Sequence, residues 1–327
     1  MTARLRNDPD ALAGLIDRAA QHLDIRAAYV EKDFWVTEVL RVASQNRTVL
    51  LPDGSSASVD FIFKGGTSLS RVFGLIERFS EDIDLLAVFP SDAKLPARHK
   101  VLKLVDAEVS AHLDIVGKVT PNGSTTGVKR YTTYQYSTEQ TDQDLKEGVL
   151  LELGSRGGTY PAQVHPYRSM VSDYAISVLN EDDSVWEEFA PFDVNVLSPE
   201  RTLLEKIAAV HDAASRTDES ALAKGGRHFY DIHRLLEAPE VQNALGTLGA
   251  DGVKALVDDI NEHSNDAGFS WTPRPAAGYA DSPAFDPSHA SRESIATAYK
   301  AAHGLIYGTH PTLDDIAEIV QHRRDLL

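Results

Sequence analysis

Cysteine is absent from the 327 residues of the chain. That excludes disulfides, thiolate zinc sites and cysteine nucleophiles together. Long apolar runs are missing too. Nothing approaches the ~20 residues that cross a bilayer, and the opening MTARLRNDPD has no signal-peptide character. A cytoplasmic protein with no membrane partner is therefore expected. No His-x-x-x-His pattern occurs, and His228 and His233, five apart, make a poor helical chelate, so zinc is not expected. Basic residues are in deficit: 32 Lys and Arg against 49 Asp and Glu give a net charge of −17. This argues against a general nucleic-acid binder, although a local basic patch can serve an RNA substrate on an acidic chain. The same balance suits a basic protein partner or a cationic small molecule. Repeats and low-complexity segments are absent. The 42% hydrophobic and 25% charged fractions are those of an ordinary globular chain, long enough for two domains.

What the chain does have is concentrated between Phe61 and Val88, FIFKGGTSLSRVFGLIERFSEDIDLLAV. Phe61-Ile62-Phe63 is a short β-favouring run ended by Gly65-Gly66. Thr67 or Ser68 is placed to cap a helix, with Leu69, Val72, Phe73 and Ile76 on one face. The start of such a helix offers free N–H groups and positive dipole, a seat for phosphate. Asp82-Ile83-Asp84 then enters a strand, and alternation puts both aspartates on one face. Carboxylates that close repel each other unless a cation lies between them. Hard oxygen donors of this kind suit Mg²⁺, which completes its shell with water and substrate phosphates.

The order of a GG-T-S turn, a helix and D-I-D resembles the nucleotidyltransferase superfold of polymerase-β type. The fuller string KGGTSLSRVFGLIERFSEDIDL is similar to the AbiEii/AbiGii toxin family, which includes the MenT toxins. The resemblance implies an enzyme that moves a nucleoside monophosphate from an NTP onto an acceptor, with Mg²⁺ (or Mn²⁺) held by Asp82 and Asp84. It implies a third carboxylate on the strand beside them, and Glu152 in GVLLELG fits; a surface-facing Glu on an edge strand is the alternative. The nucleotide would meet Lys64, Gly65, Gly66, Thr67, Ser68, Arg78 and Ser80. Lys206, in the helix ERTLLEKIAAVHDAA, matches a family lysine directed at nucleotide phosphates; a lysine snorkelling from an apolar stripe is the alternative. Asp231, in GRHFYDIHRLLE, matches a family R-x-x-Y-D helix, with Arg227 and His228 as substrate-facing neighbours. Glu31-Lys32-Asp33 resembles the EKD that opens these proteins, against a plain exposed charged turn. The family implies a growth-inhibiting toxin of a toxin–antitoxin or phage-defence pair, a cognate antitoxin, and tRNA 3′ ends as acceptor.

The rest of the pattern predicts an α/β (α+β) protein: a small mixed sheet flanked by helices over residues 1–197, and a helical C-terminal domain over 198–327, with a cleft for the nucleotide between them. Two helices are expected over 8–46, a helix over 97–116 with Val101, Leu104, Val105 and Val109 inward, and strands over 127–137, 148–154 and 192–197. Ser198-Pro199-Glu200 reads as a capped helix start. Residues 215–226 read as a polar linker, and 265–289 as a strap packed by Phe269, Trp271, Tyr279 and Phe285. Two rivals to an RNA-modifying enzyme stand. One is a small-molecule nucleotidyltransferase of the aminoglycoside-modifying kind; the other is a catalytically silent nucleotide-binding module. A basic track of Arg71, Arg78, Arg156, Lys224 and Arg227 would favour RNA, an acidic pocket a cationic drug.

Overall fold

The computed structural model describes residues 2–80, 82–114, 119–136, 138, 145–155, 157–266, 268 and 271–327. Its elements follow in chain order. Helices α1 (Pro9–Leu23) and α2 (Ala27–Ala43) precede β1 (Arg47–Leu50), β2 (Ser56–Lys64) and the short helix α3 (Gly65–Arg71). Next come β3 (Asp82–Val88), α4 (Leu95–His112), β4 (Val119–Thr125), β5 (Lys129–Tyr134), β6 (Val149–Gly154), β7 (Ala162–Tyr167), α5 (Met170–Ser177) and β8 (Phe192–Leu197). Helices α6 (Pro199–Ser215), α7 (Glu219–Glu237), α8 (Pro239–Asp266), α9 (Arg292–Ala301) and α10 (Leu313–His322) complete the chain. The residues fall into two compact units: Met1–Thr67, Glu81–Ser155 and Ala162–Val196 in one, Ser68–Ser80, Arg156–Pro161 and Leu197–Leu327 in the other.

The first unit is built on a mixed sheet in the order β4-β5-β6-β3-β2-β8-β7, with β1 paired to β2. β3 lies in its middle, antiparallel to β2 and parallel to β6. Burial alternates along the ends of these strands that carry charge. Phe63, Ile83, Leu85, Leu151 and Leu153 are buried, while Lys64, Asp82, Asp84 and Glu152 between them are partly exposed. Pro121 and Pro166 stand on the two outermost strands, where a missing N–H costs no ladder bond. Asp8 caps α1 by accepting from Ala11 N at 3.0 Å, and Pro9 occupies the first turn. α2 is buried along nearly its whole length, Glu31, Lys32 and Asp33 included. The exposed charged turn envisaged for those three residues is therefore wrong.

The second unit is helical. Its core gathers Leu203, Leu204, Ile207 and Val210 of α6, Phe229, Ile232, Leu235 and Leu236 of α7, and Leu69, Leu75 and Ile76 of the early segment. Residues 219–226 belong to α7 and not to a linker, because their glycines serve packing. A Cβ on Gly226 would come within 2.2 Å of the Ala298 carbonyl oxygen on α9, so the two helices touch backbone to backbone. In the 265–289 stretch Tyr279 and Phe285 are buried whereas Trp271 is exposed; Phe269 lies outside the described residues. Ser198 sits at the N-cap of α6 but its hydroxyl makes no capping bond, and α10 carries the full capping box, Thr312 with Asp315.

Other expectations need correction. α3 ends at Arg71 and does not run on to Ile76; Gly74, at φ 64°, turns the chain instead. α3 also begins at Gly65, so Thr67 and Ser68 lie inside its first turn and not at its N-cap position. On α4 Leu104 is exposed, and Leu102 takes the inward place. The strand over 127–137 is shorter, Lys129–Tyr134, and Val116 and Ser137 lie outside the described residues. Among the described residues no helix is long and apolar enough to cross a membrane.

Candidate active site

Strand pairing assembles the charged face of the first unit. Asp84 is the lateral partner of Lys64 on β2 and of Glu152 on β6, and Glu152 is in turn the partner of Tyr131 on β5. Directly paired residues project to the same face of a sheet. Lys64, Asp84, Glu152 and Tyr131 thus form one row across four strands, with Asp82 one pleat further along β3. Glu152 is on a central strand, not an edge, and its carboxylate shares the face of both aspartates.

The turn before α3 is shaped around this row. Gly65 has φ +86°, which disfavours any side chain, and a Cβ there would stand 2.3 Å from Asp84 Oδ2 and displace that carboxylate. Thr67 is buried and its Oγ1 donates to the Asp82 carbonyl oxygen at 2.7 Å, tying the first aspartate to the turn. Burial, then the negative charge of Glu152 and Asp84, pushes the Tyr131 phenol up, so at neutral pH it is a neutral donor beside two carboxylates. Lys146 brings its ammonium within 3.5 Å of Asp82 Oδ2. Among the described residues no three His, Cys, Asp or Glu side chains converge into a ready metal cage. Mg²⁺ asks for less: one or two carboxylates, with water and substrate phosphates completing the octahedron. The all-oxygen donors and the side-chain-free cradle at Gly65 fit that demand.

The second unit carries a charge cluster of its own. Arg78 donates to Asp231 through Nε at 2.6 Å and Nη2 at 2.7 Å, a two-pronged grip, and Lys206 Nζ lies 2.8 Å from Asp231 Oδ2. All three side chains are buried. Burial alone would raise the Asp231 pKa, but Arg78 and Lys206 hold it well below the usual carboxylate range. His228 Nδ1 stands 3.5 Å from Lys206 Nζ; burial and that ammonium lower the imidazole to about 3, which keeps it neutral. The Arg78 backbone is bridged to Ile306, and Glu77 N donates to the Tyr230 hydroxyl at 3.1 Å, so the segment bearing Arg78 is fixed at several points.

The profile of one protein family matches residues 53–318, and its description reads "Nucleotidyl transferase AbiEii toxin, Type IV TA system". The chain belongs to this family. It is an AbiEii-type nucleotidyltransferase toxin, and the mixed α/β architecture agrees with that fold. No curated protein matches the chain.

Against the AbiEii match, the sequence-predicted residues divide by unit. Asp82, Asp84, Glu152, Lys64, Gly65, Gly66 and Thr67 belong to the first unit; Ser68, Arg78, Ser80, Lys206 and Asp231 to the second. Ser80 precedes the described start of β3 at Asp82, so strand alternation does not put it with the aspartates. Lys206 does not snorkel: it is buried and ion-paired. Arg78 is buried as well and contributes nothing to an exposed basic track, while Arg156 lies outside the described residues. Tyr131 and Lys146 were not foreseen as site residues. The tyrosine was readable only as one of an alternating set, and no motif marks the lysine.

Proposed function

We propose that the chain transfers a nucleoside monophosphate from an NTP to a hydroxyl of RNA, with the 3′ end of tRNA as acceptor, the acceptor oxygen bonding the α-phosphorus as the α–β anhydride breaks and pyrophosphate leaves, and so arrests growth. The observation that carries this reading is the cross-strand row of Lys64, Asp84, Glu152 and Tyr131, with Asp82 beside it, closed by a turn that has no room for a side chain. Asp82 and Asp84 are the residues that would hold Mg²⁺. Bound there, the metal would neutralise triphosphate charge and make the acceptor hydroxyl more acidic. Glu152 is the base, or a further oxygen ligand: its carboxylate lies on the same face of the sheet as both aspartates. The N–H groups of Gly65, Gly66 and Thr67 are assigned to phosphate oxygens, and Lys64 adds positive charge at the end of the row. Lys206, gripped by Asp231, is assigned a phosphate from the family resemblance.

The test is incubation of the purified chain with each α-labelled NTP and total RNA, with Mg²⁺ or with EDTA. Label on an RNA band with one NTP and Mg²⁺ is expected; label on a cationic small molecule alone would move the acceptor to that class, and binding without transfer would leave a silent module.

A further inference from the structure

Three consecutive buried charges on α2 each hold a different piece of chain, and the middle one leads to the active-site row. Glu31 accepts from the Thr138 hydroxyl, and Asp33 accepts from Met170 N at 2.6 Å at the start of α5. Lys32, 1% exposed, donates from Nζ to the carbonyl oxygen of Lys146 at 2.6 Å and to that of Gly148. An ammonium removed from water is costly unless its protons are taken up; here backbone carbonyls take them, and residues 146 and 148 are pinned in return. Gly148 has φ +70°, and a Cβ there would meet the Tyr134 carbonyl oxygen at 2.7 Å, so the chain enters β6 by one narrow path. Pinned this way, Lys146 points its exposed ammonium to Asp82 Oδ2 at 3.5 Å.

We propose that Lys146 is a placeholder cation: it neutralises Asp82 while no metal is bound, yields that carboxylate to the metal, and then meets the negative charge of the incoming triphosphate. Lys32 is its positioning residue. This rests on the reading of Asp82 as a metal ligand. The physical logic is competition. The ammonium and a metal ion repel each other and draw on the same carboxylate charge, so a lysine seated on Asp82 weakens metal binding there, whereas one whose ammonium stands off the carboxylate in solution leaves it unchanged. The exposure of Lys146 keeps this weakening small and screened by salt.

The test is Mn²⁺ binding followed by electron paramagnetic resonance, without nucleotide, on the full chain and its Lys146→Ala variant. The variant is expected to bind Mn²⁺ about two- to fivefold tighter, the scale of an exposed ion pair, and to lose that advantage in high salt. In steady-state transfer it should show a raised KM for the NTP with kcat little changed. Unchanged or weaker Mn²⁺ binding by Lys146→Ala overturns the proposal. Failure of the wild type to bind Mn²⁺ overturns instead the reading on which it rests. Lys32→Met should reproduce the tighter metal binding and add nothing to it in the Lys146→Ala background. Additive effects would remove Lys32 from the positioning role, and Lys32→Gln serves the same comparison if the Met variant does not fold.

Discussion

At the scale of single residues, Gly65 carries the most stringent constraint. Gly65→Ala would force a left-handed backbone on a side chain and drive its methyl into Asp84, at 2.3 Å from Oδ2. Backbone strain alone is worth about 1–2 kcal/mol; the displaced carboxylate is expected to abolish transfer even where the variant still folds, which thermal melting and a transfer assay will separate. Asp84→Asn should lower kcat by ~10²-fold or more, the scale of losing a key electrostatic contact at a reacting centre, with the melting temperature little changed because the substitution keeps the side chain's shape at a partly exposed position. Lys206→Ala is expected to raise the KM for NTP more than Lys206→Arg, which keeps a cation. Equal KM for the two, with a lowered melting temperature in both, would assign Lys206 to the fold alone. The motif K-G-G-T…D-I-D made Gly65 and Asp84 legible, since glycine, carboxylate and spacing each have a separate chemical reason, whereas Lys206 was singled out by the family resemblance alone. Tyr131 and Lys146 were not legible. One joins the site through pairing of β5 with β6, the other through carbonyls held by a buried lysine from α2.

At the scale of elements, the ion cluster joining the Arg78 segment, α6 and α7 sets a pH dependence with a definite sign. The folded pKa of Asp231 is depressed, so its contribution is complete above the unfolded value of ~3.9 and is lost as pH falls towards the folded one. His228 acts in the same direction. Its folded value of about 3 lies below the ordinary ~6.5, so the unfolded chain takes up a proton first as pH drops through that window. His228 is only half-buried, which weakens the effect; its ceiling is about 1.4 kcal/mol per pH unit. Chemical denaturation from pH 7 to 4 should show stability falling with pH, and His228→Gln should flatten the upper part of that fall; a flat wild-type profile would contradict it. Asp231→Asn at pH 7 leaves two buried cations facing an amide and is expected to cost about 3–5 kcal/mol. Elements with clear punctuation were readable in advance: β8 to the residue, the start of α6 at Ser198-Pro199, the break between α1 and α2 near Asp24. Those set by tertiary contact were not. Gly225-Gly226 mimics a linker in composition yet lies inside α7, and β1 and β4, although hairpin partners of the strands that follow them, have in RTVL and VTPNGST no apolar alternation to mark a strand. α3 stops early because Gly74 turns the chain where apolar periodicity continues.

At the scale of the whole molecule, a net charge of −17 has to be reconciled with the proposed RNA acceptor. Electrostatic steering of a polyanion onto such a chain is weak, so the KM for RNA should be high and rise only shallowly with salt. A basic binder would show a steep slope. A steep slope would instead reveal a concentrated basic surface. Family membership fixes the class of chemistry, nucleotidyl transfer by an AbiEii-type toxin; that the side chains of the row on the sheet perform it is our proposal. The most direct measurement is therefore a transfer assay on wild type, Asp82→Asn, Asp84→Asn and Glu152→Gln, each with labelled NTP, total RNA and Mg²⁺. The wild type is expected to label a discrete RNA species and to stop when EDTA is added, and all three variants are expected to fold but leave the RNA unlabelled. Labelling at the wild-type rate by any folded aspartate variant would contradict the account.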